Sequence, residues 1–354
     1  MPLTNVRQHL LAGQVIPAHP LALTPARTLD ERHQRALTRY YVGAGAGGIA
    51  VGVHTTQFGI RQAGLLHPVL ELASRTADEA LAAEVAAGGE VRPFVKIAGV
   101  IGATREALHE ATLAAATGYH AVMISLAGFD SADDRALLAH CRAIAEVRPI
   151  VGFYLQPAVG GRELSYRFWR ELAELPSLVA IKIAPFDRYR TLDVVRAVAA
   201  SGRSDVALYT GNDDSIVSDL VTQFPVRRNG TAGTQRIVGG LLGQWAVWTR
   251  AAVSLLTRIK AIGDGPVPRH LLTEGAELTD ANGAIFDAAH RFAGCIPGIH
   301  EILRRQGLMR GTWTLDPREQ LSPGQPDELD RVCASYPWLT DDAFVAEHRD
   351  RWLS

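Results

Sequence analysis

The chain has 354 residues, 47% of them hydrophobic and 21% charged, a composition suited to a globular enzyme with a large core. Thirty-six basic side chains face thirty-seven acidic ones, a formal net charge of −1, which excludes a polybasic nucleic-acid binder driven by counterion release and a cationic membrane-surface patch. Gly or a charge breaks every apolar run well before the ~20 residues needed to span a bilayer, so no transmembrane helix is expected.

The N-terminal stretch, which opens Met1-Pro-Leu-Thr-Asn-Val-Arg7, lacks the apolar core and small-residue cleavage site of a secretory signal, and a cytoplasmic location is expected. A strand is readable at 15–23. Thr28-Leu-Asp-Glu31 has the form of a capping box for a helix to about 42, stopped by the glycine-rich stretch 43–48. Strands come next at 49–53 and 94–98 with a helix at about 69–87 between them. A helix at 104–117 leads to a strand at 121–125. Ser131-Ala-Asp-Asp134 opens a helix to about 146, before a strand at 149–154. Helix 163–174, strand 178–182, helix 187–200, strand 206–209 and helix 213–223 complete the regular part. An eighth, weak strand is expected at 226–231, interrupted by Arg227, Arg228 and Gly230. Helices are then expected at 245–260, 276–294, 299–307 and about 325–336.

Strands alternating with helices in this number fit an α/β (β/α)8 TIM barrel better than an open sheet. The near-continuous apolar strands at 49–53, 149–154 and 178–182 are those of a sheet buried on both faces. We expect residues 1–234 to form the barrel, 235–310 to close it and add a C-terminal helical appendage, and 311–354 to be a wrapping tail.

Chemistry in such barrels collects where strands end on the C-terminal face. His54-Thr55-Thr56, Tyr154, Lys182 and Thr210-Gly211-Asn212-Asp213-Asp214 stand at four such ends. Only three lysines occur, Lys96, Lys182 and Lys260. Lys182 closes the apolar run Leu178-Val-Ala-Ile-Lys182, where burial would disfavour its charge and free an amine to attack a ketone. A strand-end lysine that reaches solvent or pairs with an acid is the bland alternative. Lys96 is a rival with a similar setting, and Lys260 reads as a helix-surface residue. Tyr154 suits either proton transfer beside the amine or a core position with a satisfied hydroxyl. Asp213 and Asp214 suit either contacts to a hydroxylated substrate or a helix cap. Cys141, Cys295 and Cys333 are scattered and read as buried hydrophobes. No His, Asp or Glu set has metal spacing, no dinucleotide or phosphate loop is present, and neither metal nor cofactor is expected.

Tyr154-Leu-Gln-Pro157 followed by Val179-Ala-Ile-Lys182 resembles the Tyr-x-x-Pro and Ile-Lys signatures of the dihydrodipicolinate synthase / N-acetylneuraminate lyase family, class I aldolase barrels. The 28-residue spacing from Tyr154 to Lys182 is similar too, and the resemblance runs over about residues 15–308. It implies that Lys182 forms a Schiff base with pyruvate or another 2-oxo acid and that Tyr154 shuttles the proton. It implies that Thr55 and Thr56 hold the carboxylate, and that Gly211, Asp213 and Asp214 contact the remaining, hydroxylated part of a sugar acid. It also implies a homodimer or homotetramer. The reaction so implied is an aldolase or hydro-lyase reaction; a barrel that only binds a 2-oxo acid, as a regulatory or binding protein, and a sugar-acid dehydratase are the alternatives.

The departures are informative. His54-Thr-Thr-Gln-Phe58 replaces a stretch in which the family carries two glycines and an acid, so a narrower pocket and a loop less free to take positive φ are expected. Val159 stands where the synthases carry an arginine, with Arg162 three residues on, and Phe129 replaces their tyrosine pair. These differences argue against dihydrodipicolinate formation itself.

Overall fold

The computed structural model describes residues 1–228 and 230–354, with the side chain of Arg228 left aside. Helix α1 (Leu3–Leu11) precedes β1 (Val15–Pro17), α2 (Glu31–Gly43), β2 (Gly48–Val51), α3 (Leu66–Ala86) and β3 (Val95–Val100). Then come α4 (Thr104–Ala116), β4 (Ala121–Ile124), α5 (Asp134–Ala145), β5 (Ile150–Leu155), α6 (Tyr166–Leu172), β6 (Leu178–Ala184), α7 (Arg188–Ser201), β7 (Ala207–Thr210) and α8 (Ile216–Val221). A hairpin of β8 (Phe224–Arg228) and β9 (Thr231–Gln235) leads to β10 (Gly239–Leu242). The appendage is helical: α9 (Thr249–Ile262), α10 (Arg269–Ile285), α11 (Cys295–Arg305), α12 (Gln325–Ser335) and α13 (Asp342–Leu353).

Eight strands form one sheet in the order β1-β10-β7-β6-β5-β4-β3-β2. A parallel bridge between Ala18 and Ala50 joins the two ends of that order, so the sheet closes on itself as an α/β (β/α)8 barrel.

Three expectations are corrected. The eighth barrel strand is Gly239–Leu242, and Phe224–Arg228 instead pairs antiparallel with Thr231–Gln235 outside the barrel sheet. Asn229, within the expected strand, lies outside the described residues. The real strand is hidden in the sequence because it opens on two glycines: a Cβ at Gly239 would sit 2.6 Å from the Gln14 backbone, so no β-branched residue fits there. The helix start near residue 30 is capped by Asp30, whose Oδ1 accepts from His33 N at 3.2 Å. Thr28 is drawn away by its hydroxyl contact to Thr24 at 2.7 Å and by the neighbouring Leu23–Leu29 bridge. Finally, α1 adds a helix before the first strand that the sequence pattern does not announce.

The chain divides into two compact units, Met1–Gln14 with Ile97–Leu241, and Val15–Lys96 with Leu242–Ser354. In the first, α1 is tied to the strand bases by an Arg7–Asp205 ion pair at 3.0 Å, and Val122, Val151, Ile181 and Leu208 are fully buried. In the second, the buried Asp341 accepts from Tyr40 Oη at 2.7 Å and from Arg250 N at 2.9 Å. Tyr40 Oη in turn accepts from Thr249 N at 2.7 Å. This chain of bonds fastens the start of α13 to α2 and α9. Among the described residues, no helix is long and apolar enough to cross a membrane.

Candidate active site

Lys182 lies on β6, a strand buried along its whole length, and is itself only 8% exposed. Residues directly paired across a parallel ladder project onto the same face, and faces alternate along each strand. Lys182 pairs with Phe153 on β5 and Tyr209 on β7, so these three share one face. The other face carries Gly152, where a Cβ would meet Leu172 and Trp169 of α6 at 3.2 and 3.3 Å. That face is turned to the helices. Lys182 therefore projects inward, the position that chemistry in a barrel requires.

The stem of Lys182 runs along Gly211. A Cβ there would lie 2.7 Å from Lys182 Cε and 2.7 Å from Ala184 Cβ, so the lysine occupies space that any larger residue would fill. Its Nζ stands 4.6 Å from the centre of the Phe153 ring. Burial lowers the amine to about 8, partly opposed by the negative charge of Asp213. With that value about a tenth of the amine is neutral at pH 7, orders of magnitude more than for an ordinary lysine. Tyr209 completes the inner face; its hydroxyl donates to Leu10 O at 2.8 Å and accepts from Gln14 N at 3.1 Å.

Tyr154 is not brought to the amine. It pairs with Ile183 and so faces the helices. Its buried hydroxyl accepts from Leu164 N at 3.3 Å and from Arg190 Nη1 at 3.3 Å, and faces Leu164 O at 3.4 Å, while its ring packs on Trp169 at 5.3 Å. The cause is a bulge. Ile150 pairs with Leu178 but Val151 with Ala180, leaving Val179 as an extra residue on β6. One inserted residue exchanges the two faces of everything beyond it. The expected partnership of phenol and amine is thereby replaced by one of Phe153 and amine.

The other candidates divide. Gly211 lies against the stem of Lys182 and the charge of Asp213 acts on its amine, whereas Asp214 is exposed and bonded by the hydroxyl of Ser215 at 3.1 Å. Thr55 and Thr56 are buried in a short 3-10 turn, His54–Thr56. Their hydroxyls serve the backbone: Thr55 Oγ1 donates to Ala18 O at 2.8 Å, and Thr56 Oγ1 donates to His19 O at 2.7 Å. Gln57 departs from expectation, since it adopts φ of 67° without being glycine. Its Oε1 accepts from Leu315 N at 2.6 Å, a bond from the tail that offsets the strain of this backbone region. Arg162 donates to the carbonyls of Phe129 and Ala132 and so braces the loop after β4. Lys96 is ion-paired with Asp78 at 2.8 Å and donates to Ser74 Oγ at 2.9 Å, so its amine is engaged away from Lys182. Lys260 is exposed on α9.

Sequence reasoning missed Phe153, whose position beside Lys182 has no local signal, and Asp219. The Asp219 carboxylate is completely buried. It accepts from Thr210 Oγ1 at 2.6 Å and Asn212 Nδ2 at 2.9 Å, and pairs with Arg188.

Comparison with known proteins agrees with this architecture. Residues 12–223 match the model of the dihydrodipicolinate synthetase family. The N-acetylneuraminate lyase of Citrobacter koseri is 26% identical over 269 residues, 74% of this chain and 79% of that protein. Among solved structures, dihydrodipicolinate synthase from Oceanobacillus iheyensis superposes with a TM-score of 0.72 at 18% identity, covering 95% of this chain and 99% of that one. N-acetylneuraminate lyase from Fusobacterium nucleatum gives 0.70 at 16% identity, covering 92% and 99%. With the family model spanning more than half its length and a barrel that presents a buried lysine on the expected strand, the chain belongs to the dihydrodipicolinate synthetase family, whose members are lyases of the class I aldolase type.

Proposed function

We propose that the protein is a Schiff-base lyase acting on a 2-oxo acid derived from a sugar, with Lys182 as the nucleophile. The carrying observation is the inward, buried amine of Lys182, lowered to about 8. In this reading neutral Nζ adds to the 2-oxo carbon, and the carbinolamine loses water to give an iminium. Cleavage of the C3–C4 bond then leaves its electron pair in an enamine, while the C4 hydroxyl loses its proton and becomes an aldehyde. The enamine takes up a proton at C3, and hydrolysis releases pyruvate and the free amine. Loss of a C3 proton and the C4 hydroxyl as water is the dehydratase variant of the same iminium.

The proton work falls to Asp213, the carboxylate whose charge acts on Lys182, since Tyr154 is occupied on the other face. A homo-oligomeric state and a cytoplasmic location belong to the same reading. The test is pyruvate release from a panel of 2-oxo-3-deoxy sugar acids. Turnover by the wild type that disappears in Lys182→Ala supports the reading. Turnover by no member of the panel, or undiminished turnover by the variant, overturns it.

A further inference from the structure

Gly211 and Asp213 are the two residues of the turn after β7 that act on Lys182, one by shape and one by charge. Their neighbours in sequence, Thr210 and Asn212, are both bonded to the buried Asp219 of α8. Asn212 N also donates to Thr210 Oγ1 at 3.1 Å. Asn212 reaches two further elements: its Oδ1 accepts from Phe186 N at 3.0 Å, and its Nδ2 donates to Thr191 Oγ1 at 3.1 Å. Phe186 lies just past β6 and holds φ of 51°, a costly conformation for an aromatic residue that a fixed backbone bond can maintain. One carboxylate therefore organises the exit of β7, and through Asn212 the exit of β6, on either side of the lysine. Arg188 on α7 supplies the counter-charge a buried carboxylate needs.

We propose that Asp219 is a positioning residue for Lys182, locking both flanks of Gly211 and so holding the turn that carries Asp213 in place against the amine. This rests on Lys182 being the working amine, as proposed above. Among the described residues, the groups around Lys182 are the charge of Asp213 from the turn, the uncharged ring of Phe153 from β5, and, in register on β7, the Tyr209 phenol, whose hydroxyl is engaged elsewhere. Those facing Asp219 are Arg188 from α7 and the charge of Asp214 from the turn. Without Asp219, the Thr210 hydroxyl and the Asn212 amide lose a buried acceptor, the turn relaxes, and Asp213 moves off the lysine.

The test reads the lysine without any substrate. Trace acetic anhydride labelling followed by peptide mass spectrometry, from about pH 6 to about pH 11, gives the titration midpoint of each lysine. Lys96 and Lys260 serve as internal references. Removing a nearby carboxylate disfavours the ammonium, so Asp213→Asn lowers the Lys182 midpoint, by about half to one pH unit. Asp219→Asn and the milder Thr210→Val shift it in the same direction, Thr210→Ser restores it, and Asp219→Asn adds nothing in an Asp213→Asn background. An unmoved midpoint in Asp219→Asn and Thr210→Val, additive shifts in the double variant, or an Asp213→Asn without effect each overturn the proposal. Thr210→Val decides the matter if Asp219→Asn does not fold. Because the label needs no 2-oxo acid, these outcomes stay separate from whether Lys182 forms an iminium.

Discussion

Phe153 stands in register with Lys182 on the neighbouring strand, its ring centre 4.6 Å from Nζ. The face of the ring favours the ammonium by about 0.5–2 kcal/mol, depending on how dry the site is, while burial works against it. Burial wins, since the amine is lowered to about 8. The ring also withholds what a phenol at this position would supply, a proton donor beside the nitrogen.

Tyr154→Phe probes that arrangement. The hydroxyl removed bonds Leu164 and Arg190, so the expected cost is structural, on the order of 1 kcal/mol. The rate of pyruvate release should fall by less than about tenfold. A loss of about 100-fold or more in kcat, with unchanged thermal stability, would place the phenol in the reaction and reject the register described here.

Gly211→Ala should disable the site by shape. The added methyl would lie 2.7 Å from Lys182 Cε, and relieving that overlap costs about 1–3 kcal/mol. Displacing the lysine predicts a drop in kcat/KM of at least about tenfold, measured alongside the melting temperature. Full activity in Gly211→Ala would show that the stem of Lys182 does not need this space.

The pH dependence has a definite sign. Only the neutral amine adds to a carbonyl, so the rate of iminium formation should climb through a midpoint near 8, where burial has set Lys182. Stopped-flow mixing with pyruvate across pH would measure it, and a midpoint at the ordinary lysine value would contradict a buried amine. Stability moves the same way. The unfolded chain binds the extra proton between about 8 and the ordinary lysine value near 10.5, so this group makes folding more favourable as pH rises through that window.

Acid should weaken the second unit. His19 and His300 are fully buried, and burial lowers both to about 4. Below the ordinary histidine value near 6.5 the unfolded chain binds protons that the folded chain refuses, and stability falls by up to about 1.4 kcal/mol per pH unit for each histidine. Urea unfolding at successive pH values should show this slope, and His300→Gln, if it folds, should shed roughly half of the two-histidine slope. A flat profile between about pH 7 and about pH 5 would mean that these rings are protonated in place.

The barrel was legible because its strands are apolar on both faces. The expected 121–125, 149–154 and 178–182 lie within two residues or so of Ala121–Ile124, Ile150–Leu155 and Leu178–Ala184. Lys182 was legible because lysine is scarce and this one ends an apolar run. The eighth strand was not, since Gly239 and Gly240 carry no apolar pattern and the more strand-like Phe224–Arg228 and Thr231–Gln235 pair with each other in a separate two-stranded sheet. The face of Tyr154 was not legible either. The 28-residue spacing to Lys182 is blind to the bulge at Val179, and one residue of register decides which of Phe153 and Tyr154 meets the amine. Asp219 gave no signal, because its partners Thr210 and Asn212 come together only when the turn after β7 folds back on α8.

The central claim is that Lys182 condenses with a 2-oxo acid, and covalent capture tests it most directly. The protein is incubated with pyruvate and related 2-oxo acids, reduced with borohydride, and mapped by peptide mass spectrometry. The account predicts a reduced adduct on Lys182, absent from Lys182→Ala and undiminished in Tyr154→Phe. An unmodified Lys182 across the whole panel, or an adduct on Lys96 instead, would contradict it.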